Sequence, residues 1–84
     1  MLERAQAQKL VMDTLREELR IAPVTELNEA DELDLLPGAD SVRLMRAIAE
    51  LETKLDLRFD DERIREASTI GYIVDFVING ESIR

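Results

Sequence analysis

Apolar residues recur at helical spacing in several separate stretches of this 84-residue chain. In the first, Val11, Met12, Leu15, Leu19 and Ala22 fall on one side of a 3.6-residue helix, and Lys9, Asp13, Arg16, Glu17 and Arg20 fall on the other. That pattern predicts a helix from Arg4 to about Arg20, ended by Pro23, which disfavours helical geometry at Ala22. Residues 21–40 then carry no sustained period. A connection of that length is long for a compact domain and reads as a functional loop, with Leu27, Leu33, Leu35 and Leu36 as its anchors.

A second helix is predicted to open at Asp40 or Ser41 and run to about Leu55, with Leu44, Ile48, Leu51 and Leu55 as its core stripe. The segment "DLRFDDERIREAS" follows, with Ile64 and Ala67 as the inward positions of a short third helix. The last helix opens at Ser68 or Thr69, both plausible caps, and continues through "IGYIVDFVI". Only Gly71 and Asp75 interrupt its apolar character, so a central position is expected, with Asn79-Gly80 as the stop. Strand-like alternation, repeats and low-complexity tracts are absent. The expected fold is an all-α four-helix bundle, with three longer helices, a short third one and a long first loop, forming a single domain over residues 1–84.

Composition sharpens this picture. Apolar residues make up 45% of the chain and charged residues 36%, with three Gly and two Pro, as in a soluble globular protein. Aromatic residues are confined to Phe59, Tyr72 and Phe76, so the core rests on Leu, Ile, Val and Met. The formal charge of −8 tells against nucleic acid and anionic membrane surfaces as partners and favours basic patches on other proteins. No apolar run approaches membrane-spanning length, "MLERAQAQ" lacks the apolar stretch of a signal peptide, and a cytoplasmic monomer is expected.

Most catalytic chemistry has no residues to work with. Without His there is no Ser-His pair and no imidazole ligand, and without Cys the usual zinc sites are excluded. The spacings in "DELD" and "DLRFDDE" fit no calcium loop, and the scattered glycines make no phosphate cradle. Neither an intrinsic enzyme activity nor a metal site is expected.

Attention falls on Ser41, where a Pro-Gly loop turns into the second helix. Ser41 or Asp40 can serve as a plain helix cap, although Leu44 and Arg43 supply no capping box. The same location suits an attached phosphate, because a helix N-terminus offers free N–H groups and partial positive charge. Asp40 would then cap the backbone while "LLPGA" kept the Ser41 hydroxyl exposed.

Gly38-Ala39-Asp40-Ser41-Val42 resembles the G-x-D-S-[LVI] signature of the acyl and peptidyl carrier proteins. The resemblance extends over nearly the whole chain: "TELNEADELDLLPGADS" is similar to the family's first loop, "RLMRAIAELETKLDLRF" to its second helix and exit, and "ASTIGYIVDFV" to its fourth helix. It implies that Ser41 carries a 4′-phosphopantetheine arm from coenzyme A, that Asp40 is its signature neighbour, and that the arm's thiol holds cargo as a thioester. It further implies a phosphopantetheinyl transferase, an adenylating or acyl-transferring loading enzyme, and condensing or tailoring enzymes as partners. A carrier needs no catalytic residues of its own.

The second helix resembles more than one branch of that family. Its outward positions include Arg43, Arg46, Glu50 and Lys54, and "DSVRLM" is similar to aryl carrier and free-standing peptidyl carrier proteins. "GADS", by contrast, looks acyl-carrier-like. Nonribosomal peptide or polyketide-type biosynthesis is the expected setting, with acyl, aryl or aminoacyl cargo. The initial Met and the four-helix span suggest a free-standing protein.

Val42, Met45 and Ala49 lie beside the core stripe, either packed on the third helix or forming an apolar docking spot rimmed by Arg43 and Arg46. Arg46–Glu50 and Glu50–Lys54 are ordinary i,i+4 pairs, whereas Arg43 has no such partner and is the better candidate for partner recognition. The alternative to a carrier is an acidic helical adaptor that carries nothing and tolerates Ser41→Ala.

Overall fold

A computed structural model describes residues 2–79. Four α-helices appear in it, α1 (Arg4–Leu19), α2 (Ser41–Leu55), α3 (Asp61–Glu66) and α4 (Ile70–Asn79), with a 3₁₀ turn over Leu33–Leu35 inside the long first loop. This is the expected all-helical bundle, and among the described residues the only extended pairing is an isolated Glu32–Thr69 bridge.

Helix α1 starts where the Gln6 side-chain oxygen accepts the Glu3 N–H (3.0 Å), and it stops at Arg20 in the left-handed region (φ 56°). Ile21 donates back to the Arg16 carbonyl at 3.0 Å, closing the helix end. The chain has therefore left the helix before Ala22, which is exposed rather than part of the inner face, and Ile21 is buried in its place. Ala7 and Thr14 complete the buried face of α1 with Val11, Leu15 and Leu19, while Met12 is half-buried. Thr14, a fully buried polar residue, accepts a hydrogen bond from Lys54 Nζ at 3.2 Å.

Helix α1 packs against both α2 and α4. On α2 the innermost line runs through Ala47 and Leu51, with Leu44, Ile48 and Leu55 half-buried on its flanks, so the burial maximum is rotated from the expected stripe. Small Ala47 marks close approach of the helix to the core. Helix α4 buries Ile70, Ile73, Val74, Phe76 and Val77 but exposes Tyr72 and Asp75, making it one-sided rather than enclosed. Phe76 stands between Phe59 and Tyr72, with ring centroids 6.0 and 5.4 Å away. Ile64 and Ala67 are half-buried as expected, and Asp60 caps α3 by accepting the Glu62 N–H at 2.9 Å. The expected stop lies at the margin of the described residues: α4 runs to Asn79, and Gly80 lies outside them.

The long first loop supplies what the start of α4 lacks. A helix leaves its first N–H groups unpaired; here Ile70 and Gly71 donate to the carbonyls of Asp31 (3.1 Å) and Glu29 (2.9 Å), and Thr69 Oγ1 accepts from Tyr72 N (3.3 Å). The Glu29 carboxylate is held in turn by Arg4 and by Gln8 (2.9 Å), and Arg4 also reaches Asp75 at 2.9 Å. Hydrogen bonds to Glu29 and then Asp75 raise the Arg4 pKa above its already high ordinary value. Leu27, Leu33 and Leu36 anchor the loop as expected, but Leu35 points to solvent: within a 3₁₀ turn Leu33 and Leu36 share one side, which turns Leu35 to the other. No helix among the described residues is long and apolar enough to cross a membrane.

Candidate functional site

The approach to Ser41 is fixed by Gly38. Its φ of +74° lies in the left-handed region, and a Cβ there would stand 2.6 Å from the Leu19 carbonyl oxygen. The Pro-Gly turn is therefore seated directly on the C-terminal end of α1, held on one side by buried Leu36 and closed by the Ala39 N–H to Leu36 carbonyl bond (3.1 Å).

Asp40 follows in extended geometry (φ −147°, ψ 167°), and its Oδ1 accepts the Arg43 N–H at 2.8 Å. Its own carbonyl takes the Leu44 N–H at 2.9 Å. Asp40 is thus the cap and Ser41 the first helical residue. The Ser41 side chain is exposed, and its hydroxyl makes no hydrogen bond among the described residues. An anion attached there meets the remaining first-turn N–H groups and the positive end of the α2 dipole. The residues present thus fit a phosphate-linked group on Ser41.

Two hollows adjoin the serine. One, of about 230 Å³, leads inward between Leu44, Met45 and Ile48 of α2 and Ile64 and Ala67 beyond it, with Asp34 and Arg65 also in its wall. The other is an open depression bordered by Val42, Met45, Arg46 and Ala49. Val42 and Met45 are 61% and 55% exposed, so the side patch is not sealed beneath α3.

The cationic residues differ from expectation. Arg43 does have a partner: its Nε lies 3.6 Å from Asp40 Oδ2, on the same carboxylate that caps the helix. Spacing of i,i+4 overlooked this i,i+3 contact. Arg46 and Glu50 form no ion pair among the described residues, and Lys54 turns to α1, where it meets Thr14 and, at 3.9 Å, Glu17. Arg46 is therefore the uncommitted cation of the patch. Asp34 and Arg65 escaped notice in the sequence because their nearness to Ser41 depends on how the loop and α3 fold back.

A family model described as "phosphopantetheine attachment site" matches residues 9–77, from within α1 to within α4. Proteins of that family bear a 4′-phosphopantetheine group, act as carriers rather than catalysts, and interact with phosphopantetheinyl transferases and biosynthetic enzymes.

Proposed function

The chain belongs to the phosphopantetheine attachment-site family, and on that premise we propose that Ser41 bears the prosthetic arm and that residues 1–84 form a single carrier domain. The observation that carries this reading is the division of labour at the start of α2. Asp40 satisfies the backbone at 2.8 Å, which leaves the neighbouring hydroxyl exposed and unengaged. A serine needed as the cap would have its oxygen occupied.

The arm supplies the thiol that holds cargo as a thioester; the chain's own residues position it and present it. Gly38 and Asp40 fix where Ser41 stands, and the first turn of α2 offers positive potential to the linking phosphate. Val42, Met45, Arg46 and Ala49 form the surface that partner enzymes meet, with Arg43 contributing its half-exposed guanidinium beside Asp40.

The cargo is acyl, aryl or aminoacyl, in nonribosomal peptide or polyketide-type biosynthesis. Supporting this are the cationic outward positions Arg43 and Arg46 on α2 and the apolar hollow opening beside Ser41, whose chemistry suits an acyl or aryl group. The partners are a phosphopantetheinyl transferase, a loading enzyme of adenylating or acyl-transferring type, and condensing or tailoring enzymes. Nucleic acid and anionic membrane surfaces are not partners, since the charge of −8 repels both. The protein works as a cytoplasmic monomer.

Intact mass before and after treatment with a broad-specificity phosphopantetheinyl transferase and coenzyme A tests the reading. The expected result is a gain of one phosphopantetheine unit in the wild type and none in Ser41→Ala. No gain in folded wild-type protein, with the transferase proven on another carrier, would favour a non-carrying adaptor.

A further inference from the structure

The chain from Ile21 to Val42 contains Glu26, Glu29, Asp31, Glu32, Asp34 and Asp40 and not one Lys or Arg. Half of these carboxylates are engaged within the molecule. Glu29 is held by Arg4 and Gln8, Asp31 accepts the Asn28 N–H at 2.8 Å, and Asp40 caps α2. Glu26, Glu32 and Asp34 are exposed and form no ion pair among the described residues.

Amid this negative charge stands Leu35, 76% exposed between buried Leu33 and Leu36. It borders a shallow cup of about 360 Å³ together with Pro37, Glu26 and Glu32, and buried Leu27 and Leu36 form part of the same lining. A solvent-facing leucine beside a hollow floored by Leu27 and Leu36 and flanked by the uncommitted carboxylates of Glu26 and Glu32 is complementary to a positively charged surface with an apolar projection.

We propose that this cup is a docking surface, separate from the α2 patch, for a basic amphipathic helix of a partner protein. An apolar side chain of that helix would seat against Leu35 and Pro37, while its Lys or Arg residues face Glu26 and Glu32. The same carboxylates repel nucleic acid and anionic lipid, which leaves protein as the occupant. The sign of the charge also differs from the α2 patch, where Arg46 stands beside Val42 and Met45. A partner that engages both surfaces needs a basic area for one and an apolar, non-basic area for the other. Only one orientation satisfies that requirement, so the pair of surfaces sets how the protein is presented.

The test is a titration of the ¹⁵N-labelled full chain bearing Ser41→Ala, so that its outcome is independent of the carrier reading. The probe is a synthetic helical peptide with leucines at i, i+3, i+4 and i+7 and arginines elsewhere. Saturable amide shifts centred on residues 25–37 are expected. Leu35→Ser should weaken binding about tenfold, and Glu26→Gln with Glu32→Gln comparably. Met45→Ser should leave it unchanged. Absence of saturable binding, shifts centred on residues 42–49, or equal binding by a peptide with its leucines replaced by serine would overturn the proposal.

Discussion

The Arg43 backbone N–H donates to Asp40 Oδ1 at 2.8 Å, and that one bond makes Asp40 the cap of α2 while the neighbouring Ser41 hydroxyl stays exposed and unengaged. Asp40→Ala should lower unfolding free energy by about 1 kcal/mol, the usual cost of a lost cap, whereas Asp40→Asn should lose only a few tenths of that (roughly). The Arg43–Asp40 ion pair, at 3.6 Å between exposed groups, adds little to this difference. Urea denaturation of the three proteins separates the cases. An equal loss in both variants would mean that charge, not the hydrogen bond, matters at this position.

Gly38→Ala places a side chain where neither the backbone angle nor the space admits one. A left-handed φ costs a non-Gly residue roughly 1–2 kcal/mol, and the 2.6 Å approach to the Leu19 carbonyl oxygen adds to it. The variant should be destabilised by more than about 1 kcal/mol. The turn should also lift from α1 and displace Ser41, so transfer of phosphopantetheine should slow at temperatures where the variant is still folded. Wild-type stability together with a wild-type transfer rate would show that the tight seat of this turn is unnecessary.

Leu33 and Leu35 share one 3₁₀ turn yet face opposite ways, 8% and 76% exposed. Leu33→Ala should cost about 2–5 kcal/mol, the range for buried leucines. Leu35→Ala should stay within about 0.5 kcal/mol of wild type. Thermal melts of the pair check the loop's orientation directly, because a reversed orientation would exchange the two results.

On α2, Met45→Ser and Arg46→Glu alter side chains that the bundle does not enclose. Each should change stability by no more than about 0.5 kcal/mol while lowering kcat/KM for the phosphopantetheinyl transferase. Unchanged kinetics in both would remove the Val42–Met45–Ala49 depression from the partner surface.

Much of this architecture is legible in local sequence pattern. The 3.6 period locates α1, α2 and α4, Pro23 and the Asp40-Ser41 pair bracket the first loop, and the motif around Ser41 carries the family resemblance. The expectations that fail do so for separate physical reasons. Continuing the period of α1 past Arg20 puts Ala22 on the inner face, whereas the left-handed φ of Arg20 redirects the chain to bury Ile21. Hydrophobicity alone marks Leu35 as an anchor, but the sidedness of a 3₁₀ turn sends it outward. Other features depend on distant partners and leave no local trace. The Arg4–Glu29–Asp75 network joins α1, the loop and α4. Ala47 gives no signal as a core residue until α1 closes over it.

The most direct measurement is a fragmentation mass spectrum of the tryptic peptide spanning residues 21–43, taken from transferase-treated protein. Its hydroxyl-bearing residues are Thr25 and Ser41. The expected spectrum places phosphopantetheine on Ser41, with every fragment that lacks Ser41 unmodified. Modification at Thr25, or a modified protein whose added mass lies outside this peptide, would contradict the assignment of Ser41 as the carrier residue.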